Sequence, residues 1–177
     1  MRGEEKEVRR AAEQLGKQGK INLANVMGSV LKTGVLPKEQ LGYDNSRMES
    51  IYGQAYRLYN TGKYMDAITL FQHLIVLDST EVKYYMGLAA CCHMLKDYLS
   101  AVKVYMYAAA VDPENPIPFF HASDCYLQMR DKASALLMLE MAVKHSKDKP
   151  EYQILKDRAL MSIEGLKKEI MQLENVK

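Results

Sequence analysis

The amino-acid sequence predicts an all-α protein in which helix hairpins repeat along the chain and stack into an α-solenoid. Apolar residues recur at intervals of three and four rather than two, which is the spacing of one helix face. Runs of β-branched residues are short, and prolines are dense only in the stretch DPENPIPFF. Three alanines, Ala67, Ala101 and Ala135, lie at intervals of 34 residues in similar surroundings. A constant interval of this length indicates a repeat architecture.

Small and large residues recur at constant offsets from these alanines. A large residue lies four positions after each one, a small residue twelve before, and a large residue sixteen before: Phe71, Tyr105 and Leu139; Ala55, Ala89 and Ser123; Ile51, Tyr85 and Phe119. The small residues let two helices approach, and the large ones fill the space beside them. One hairpin cannot bury its own apolar face, so hairpins must stack. The pattern resembles the tetratricopeptide repeat, which implies three tandem 34-residue repeats over residues 48–147.

The helices of these repeats can be placed from the apolar spacing and the turns. We expect helices near residues 48–60 and 64–77, 82–95 and 98–110, and 116–129 and 132–145, with turns at NTGK, LKD and MRDK. Pro113 and Pro116 mark the junction before the third repeat. Residues 148–177 follow, with a helix over about 150–174 whose apolar face comprises Tyr152, Leu155, Ala159, Ile163, Leu166, Ile170 and Leu173. Its other faces carry Lys and Glu, as expected of a capping helix that closes a solenoid.

Residues 1–47 do not fit the repeat. We expect residues 1–20, which are charged, to be flexible. Residues 21–47 predict an amphipathic helix and a linker, and Ile21, Ala24, Met27 and Leu31 share one face of that helix. This face, the arm stripe, has nothing in its own segment to cover it. It predicts either a dimerisation arm that gives a homodimer or an internal plug that folds back into the groove of the same chain.

Composition excludes several classes of function. A net charge of +2 gives no signal for nucleic-acid binding. No apolar run approaches the length of a membrane span, and the first 20 residues do not resemble a signal peptide, so we expect a soluble, cytosolic protein without membrane insertion. An odd number of cysteines, three, predicts reduced thiols.

The sequence lacks the common catalytic motifs, and one pair of residues has the spacing of metal ligands. The sequence has no Walker, G-x-S-x-G or H-E-x-x-H motif, which predicts no cofactor and no enzymatic activity. His121 and Cys125 have a spacing that suits two metal ligands on one helix. A structural zinc site needs four ligands, and no further Cys–His pair completes one. We therefore expect no metal, and expect the cysteines to act as small apolar side chains.

The stretch YGQAYRLYN places three tyrosines on one helix face, where an ordinary core would use aliphatic residues. In stacked hairpins the first helix of each pair lines a concave groove with its fifth, ninth and twelfth repeat positions. These positions are Tyr52, Tyr56 and Tyr59; Met86, Ala90 and His93; and Phe120, Asp124 and Leu127. Tyrosine tolerates water when the groove is empty and offers rigid apolar area when it is filled. The alternative is that the tyrosines pack against the N-terminal segment.

The groove does not have the residues of a carboxylate clamp. Repeat proteins that grip the acidic C-terminus of chaperones need Lys and Asn where this chain has Tyr52 and Tyr56. The predicted ligand is therefore an apolar, extended peptide.

Four segments resemble the class II chaperones of bacterial type III secretion: IYGQAYRLYNTGKYMDA, FQHLIVLD, GLAACCHMLKDYLSAVKVYMYAAAVDP and PFFHASDCYLQ. The resemblance runs from about residue 21 to LKKEI near the C-terminus, and the charged extension before it departs from the family. It implies a bacterial cytoplasmic, ATP-independent chaperone that prevents aggregation of hydrophobic translocator proteins before secretion. It further implies a client segment of the form P-x-L-x-x-P, bound by Tyr52, Tyr56 and Tyr59, and dimerisation through the N-terminal helix.

A second hypothesis is a repeat scaffold that joins folded components of a secretion or regulatory complex through its convex face. Mutation of the groove distinguishes the two, because a scaffold would retain its function and a peptide-binding chaperone would not.

Overall fold

The computed structural model describes residue 38 and residues 41–174, apart from the side chains of residues 173 and 174. In this part of the chain there are seven α-helices and no strand, and the helices are α1 Asn45–Asn60, α2 Tyr64–Leu77, α3 Val82–Met94, α4 Tyr98–Val111, α5 Ile117–Gln128, α6 Lys132–Ser146 and α7 Gln153–Glu174. A single 3-10 turn, Pro150–Tyr152, precedes α7. The all-α repeat architecture is confirmed. The expectations for residues 1–20 and for the arm stripe Ile21, Ala24, Met27 and Leu31 lie outside the described residues.

The helix ends differ from the expected ones by a few residues, for local reasons. Helix α1 begins at Asn45 rather than 48 because the Asp44 side chain accepts a hydrogen bond from the Arg47 backbone N–H at 2.7 Å. Helix α5 begins after Pro116, where the Asn115 side chain accepts from the Ile117 N–H at 3.0 Å. The capping segment begins as the 3-10 turn, so α7 starts three residues later than predicted.

The turns between helices repeat in conformation as well as in sequence. Gly62, Lys96 and Arg130 lie 34 residues apart, and each has a left-handed backbone, with φ of 76°, 62° and 60°. Only the first of them is glycine, so the other two accept a steric cost for the turn. In the first and third turns, a bond from the residue after the left-handed one closes the helix end: Lys63 N–H to Leu58 C=O and Asp131 N–H to Tyr126 C=O, both 2.9 Å.

The chain divides into two compact units, one ending at Leu95 and the other beginning at Lys96. Unit 1 contains α1 to α3, and unit 2 contains α4 to α7. The repeat alanines Ala67, Ala101 and Ala135 are fully buried, as are Ala55 and Ala89. The small residues therefore lie where helices pack, as the repeat pattern predicts.

In unit 1 the sixth residue of α3, Gly87, receives the ring of Phe71 from α2. A Cβ atom at Gly87 would lie 2.3 Å from two carbons of that ring. The equivalent residue one repeat earlier, Gly53, has no atom within 4 Å of such a Cβ. Phe71 is buried, so α3 packs on α2 only because its backbone is bare at this point.

In unit 2 the repeat position equivalent to Gly87 has a different packing arrangement. His121 occupies the repeat position of Gly87, and its ring stacks on Tyr105, the equivalent of Phe71, at 5.6 Å and 18°. Two of the buried clusters of unit 2 are formed by Ala135, Leu139, Ala159 and Leu166, and by Ala109, Phe119 and Ala142. Helix α7 thus contributes to the core of unit 2, in keeping with a capping role.

The outer faces of α7 are less polar than the sequence suggests. Ala159 and Leu166 are buried, and Leu155 and Ile163 pack beside them. Four apolar side chains of α7 are nevertheless exposed: Ile154, Leu160, Met161 and Met171. The other faces therefore carry these apolar residues beside the Lys and Glu that the sequence predicts. Of the helices described, none has the length and apolar character needed to cross a membrane.

Candidate functional site

The three tyrosines of α1 differ in how much of each ring is covered. Tyr56 is 52% exposed, whereas Tyr52 and Tyr59 are half-buried. The rings of Tyr52 and Tyr56 stack at 6.3 Å between centroids with an interplanar angle of 23°. One turn of helix therefore presents a pair of parallel aromatic faces, the outer of which is accessible to solvent. We name these three residues the tyrosine stripe.

Tyr52 also connects α1 to its two neighbouring helices. Its ring meets the edge of Phe71 on α2 at 6.1 Å and lies 5.9 Å from the ring of Tyr84 on α3. Burial raises the pKa of Tyr52, and that of Tyr84 rises for the same principal reason. The sequence predicts that Tyr52 lines the groove, and the structure adds that it contacts both α2, its partner in the hairpin, and α3.

Tyr59 has a comparable contact at the other end of the stripe. Its ring meets Tyr64, the first residue of α2, edge-on at 5.6 Å. Burial raises the pKa of Tyr59, and the neighbouring Tyr64 adds to this. Each such aromatic pair adds about 0.5–1.5 kcal/mol beyond the area it buries. Of the three tyrosines, Tyr56 is thus the one whose ring contributes least to the packing of unit 1.

Helix α3 supplies the second set of predicted groove residues. Met86, Ala90 and His93 are all half-buried, and they follow Tyr84, which contacts Tyr52 of α1. Cys91 is fully buried among them, and burial raises the pKa of its thiol to about 12. A thiol held in this protonated form is not a nucleophile at neutral pH. In unit 1 the structure therefore brings α1 and α3 side by side, with aromatic residues at their junction.

An ion pair at this junction was missed from the sequence. The Lys83 ammonium lies 5.0 Å from the centroid of the Tyr52 ring and 5.6 Å from that of Tyr84, and it bonds Glu49 Oε1 at 2.5 Å. A cation over an aromatic face is stabilising. Glu49 and Lys83 carry opposite charges at the same position of consecutive repeats, and that pattern could have predicted their contact.

In unit 2 the predicted residues Phe120, Asp124 and Leu127 lie along α5 and are half-buried. The Arg158 guanidinium of α7 lies 5.2 Å from the centroid of the Phe120 ring. Leu127 packs against the cluster that contains Ala159 and Leu166. Helix α7 thus covers part of the third predicted set. Arg158 was missed because nothing in the sequence indicates which face of α7 meets α5.

The segment that precedes α1 forms an ion pair with the C-cap residue of α2. The Lys38 ammonium bonds Asp78 Oδ2 at 2.5 Å, and the Asp78 carboxylate, 2% exposed, also accepts bonds from the Thr80 backbone N–H and hydroxyl at 3.0 and 2.7 Å. Burial alone would raise the pKa of Asp78, but the bonds from Lys38 and Thr80 outweigh it and lower the pKa. Closer to α1, the Tyr43 ring meets His73 of α2 edge-on at 6.2 Å.

The described residues do not bring three or more potential metal ligands (His, Cys, Asp or Glu) together. Cys91 and Cys125 are buried, and Cys92 is partly buried. The candidate residues thus offer aromatic faces and methionine, together with Lys83, which is ion-paired, and Arg158, which lies over an aromatic ring. This chemistry suits the binding of an apolar chain.

Comparison with known proteins places the chain among bacterial chaperones. The tetratricopeptide-repeat family model matches residues 48–80 and 82–115. The low calcium response locus protein H of Yersinia pseudotuberculosis is 35% identical over 141 residues, which cover 80% of this chain and 84% of the relative. The structure of the type III secretion translocator chaperone SycD of Yersinia enterocolitica matches with a TM-score of 0.70 and 32% identity, over 74% of this chain and 98% of that one.

A further structure shows the same Yersinia chaperone in complex with a peptide of the translocator YopD. It matches with a TM-score of 0.67 and 34% identity, and covers 71% of this chain and 96% of that chain.

Proposed function

The chain belongs to the family of class II chaperones of bacterial type III secretion, the translocator chaperones, and we propose that it binds hydrophobic translocator proteins in the bacterial cytoplasm without ATP. Binding would prevent aggregation of the client before secretion. The observation that carries the proposal is the exposed aromatic surface of unit 1, where Tyr56 stacks on Tyr52 beside α3. The relative SycD, crystallised with a translocator peptide, supports the same class of ligand.

The client segment we propose is extended and of the form P-x-L-x-x-P. Proline and leucine side chains lose apolar surface when they lie on tyrosine rings, and each ring keeps its hydroxyl in water. At about 25 cal/mol per Å² of apolar area, burial of a few hundred Å² contributes several kcal/mol before the cost of ordering the peptide. An isolated peptide would therefore bind with micromolar affinity.

The tyrosine stripe would share this role with the other two predicted sets. In unit 1 these are Met86, Ala90 and His93 on α3, which follow directly on the Tyr52–Tyr84 contact. In unit 2 they are Phe120, Asp124 and Leu127 on α5. Methionine adapts its shape to different apolar partners, which suits a chaperone with more than one client. Neither a cofactor nor an enzymatic step is part of the proposal.

Replacement of the tyrosines should weaken peptide binding more than folding. Each of Tyr52→Ala, Tyr56→Ala and Tyr59→Ala is expected to lower the affinity for a synthetic P-x-L-x-x-P peptide by about 1–3 kcal/mol, the usual loss for an aromatic anchor. Tyr56→Ala should lower the melting temperature least of the three, because its ring is half exposed and contacts only Tyr52 among the aromatic rings of the described residues. Tyr52→Ala should also lower it, since the contacts with Phe71 and Tyr84 are lost. Titration calorimetry and thermal melts on the same samples separate the two effects.

A core variant provides the matched control. Ala101→Leu places a large side chain at a fully buried position of α4, so it should lower stability first. If Tyr56→Ala binds the peptide as tightly as the wild type, the tyrosine stripe is not the binding surface. A translocator that still co-purifies with all three tyrosine variants would favour the scaffold hypothesis instead.

We also propose that the chain forms a homodimer through the arm stripe, Ile21, Ala24, Met27 and Leu31. Deletion of residues 1–33 retains Lys38 and its bond to Asp78, so the remaining repeats should stay folded. Light scattering should then report a shift in mass toward the monomer. An unchanged mass would refute the dimer arm, and tighter binding of the peptide after truncation would indicate the internal plug.

A further inference from the structure

In unit 2, the end of α5, the start of α6 and one face of α7 line an open pocket of about 570 Å³ at the surface. This volume is within the range of sites that bind small ligands. Leu127 of α5 and Leu166 of α7 form its apolar floor, and both pack on the buried cluster beneath. Leu127 is also one of the residues predicted to contact the client, so the pocket continues that predicted surface. We name it the α5–α7 pocket.

One wall of the pocket is unusually bare for a helix. Gly165 lies in the interior of the 22-residue helix α7, and a Cβ atom built on it would have no atom within 4 Å. Glycine in a helix interior costs about 1 kcal/mol relative to alanine. Since alanine would fit without a clash, the bare backbone here does not serve the packing of unit 2. It leaves the pocket open beside Ser162, which also lines it.

The rim of the pocket carries an excess of positive charge. Lys132 Nζ pairs with Glu169 Oε2 at 2.8 Å, so these two charges offset each other. Arg130 also lines the rim, and within the described residues no carboxylate lies within ion-pairing distance of its guanidinium. An occupant of this pocket would gain from an acidic group placed at Arg130.

This charge argues against the arm stripe as the occupant. Residues 21–37 contain no Asp or Glu, and they include Lys32. That segment could fill the pocket with an apolar side chain, but it offers no carboxylate for Arg130. A client segment can carry both an apolar side chain and a carboxylate.

We propose that the α5–α7 pocket is a second client subsite, which takes one large apolar side chain against Leu127 and Leu166 and an adjacent carboxylate at Arg130. The inference rests on the proposed chaperone function and specifies the client further. A client would combine the proline-and-leucine segment bound by the tyrosine stripe with a separate leucine-like residue next to an Asp or Glu. Two linked contacts on one client chain increase the overall affinity, because the second contact forms within a complex that already exists.

The test uses the full-length protein and two capped dipeptides, N-acetyl-Leu-Asp-amide and N-acetyl-Leu-Lys-amide. Amide chemical shifts of the isotope-labelled protein should change in a saturable manner at Gly165, Leu127 and Leu166, with dissociation constants in the millimolar range. The acidic dipeptide should bind about threefold more tightly than the basic one, as expected for one exposed ion pair. Arg130→Gln should remove that difference and leave the shifts at Gly165.

Substitutions of Gly165 separate occupancy from charge. Gly165→Leu should place a side chain against Leu127 and Leu166 and so block the proposed apolar contact and abolish the shifts, whereas the matched control Gly165→Ala should remain folded and still bind. Shifts that occur elsewhere, equal affinity for the two dipeptides, or binding that survives Gly165→Leu would each overturn the inference. If a synthetic peptide of residues 21–33 binds at Gly165 more tightly than the acidic dipeptide, the inference is overturned and the arm stripe is the occupant. If Gly165→Leu does not fold, the relative affinities of the wild type and Arg130→Gln for the two dipeptides still test the inference.

The same variants keep this inference distinct from the proposed function. Gly165→Leu leaves the tyrosine stripe in the other unit intact, so it should still bind the P-x-L-x-x-P peptide with wild-type affinity. Tyr56→Ala should lose that peptide and still bind the acidic dipeptide. Loss of peptide binding in the wild type would refute the chaperone proposal itself, whatever the dipeptides do.

Discussion

Lys38→Met is expected to lower the free energy of unfolding by about 3 kcal/mol at neutral pH, the lower end of the loss seen when one partner of a buried ion pair is removed. The Asp78 carboxylate is 2% exposed, and without the Lys38 ammonium its charge would have no cationic partner among the described residues. The bonds from Thr80 would remain and moderate the loss. Chemical denaturation monitored by circular dichroism measures the change.

The loss should depend on pH in a defined direction. The folded pKa of Asp78 is lowered, so its ionised form contributes stability above the unfolded pKa of about 4, and this stability is lost as the pH falls through the folded value. The difference between the wild type and Lys38→Met should therefore shrink below pH of about 4. A difference that stays constant down to pH 3 would contradict the assignment to Asp78.

Two further variants test the origin of this effect. Lys103→Met removes an exposed lysine for which the described residues offer no ion pair, so it should change stability by less than about 0.5 kcal/mol. Asp78→Asn in the Lys38→Met background should regain much of the loss, because no buried charge is then left unpaired. If the double variant is less stable than Lys38→Met alone, the charge of Asp78 is not the cause.

Gly87→Ala should destabilise the protein by about 1–2 kcal/mol, even though alanine is the better helix former. The added Cβ would lie 2.3 Å from the Phe71 ring, which is buried and has little room to move. Overpacking of this kind costs about 1–3 kcal/mol, and the gain in helix propensity offsets up to about 1 kcal/mol. The free energy of unfolding from urea titration is the measurement.

Gly53→Ala is the matched control, because it makes the same change at the same repeat position. A Cβ atom at Gly53 meets no described atom within 4 Å, so this variant should be stabilised by up to about 1 kcal/mol. The two substitutions are thus expected to act in opposite directions. Equal stabilisation by both would mean that α3 does not pack on Phe71 as closely as described.

The sequence alone determined the repeat and the identity of its packing residues. Ala67, Ala101 and Ala135 could be recognised because tight helix packing requires a small side chain at one fixed place in every hairpin. The start and end of each helix followed to within a few residues, since caps and turn residues act locally. The 3-10 turn before α7 was not foreseen, because the sequence has no repeat partner with which to compare that junction.

The tyrosine stripe was likewise visible in the sequence, since helical periodicity places its members on one face. Its contacts with α2 and α3 were not, and they change the expected role of Tyr52. The Tyr52 side chain is long enough to reach both α2 and α3, so its repeat position does not determine which residues it contacts. Tyr56 remains the clearer candidate for an anchor whose loss affects binding more than stability.

Only the tertiary structure decided which charges and which glycines matter. Lys38 and Asp78 are 40 residues apart and share no periodic relation, so only the fold brings them together. Gly53 and Gly87 are equivalent in the sequence, yet an aromatic ring lies over one and not over the other. A repeat pattern reports what each unit has in common, whereas a side chain's energy depends on the neighbours that differ from one unit to the next.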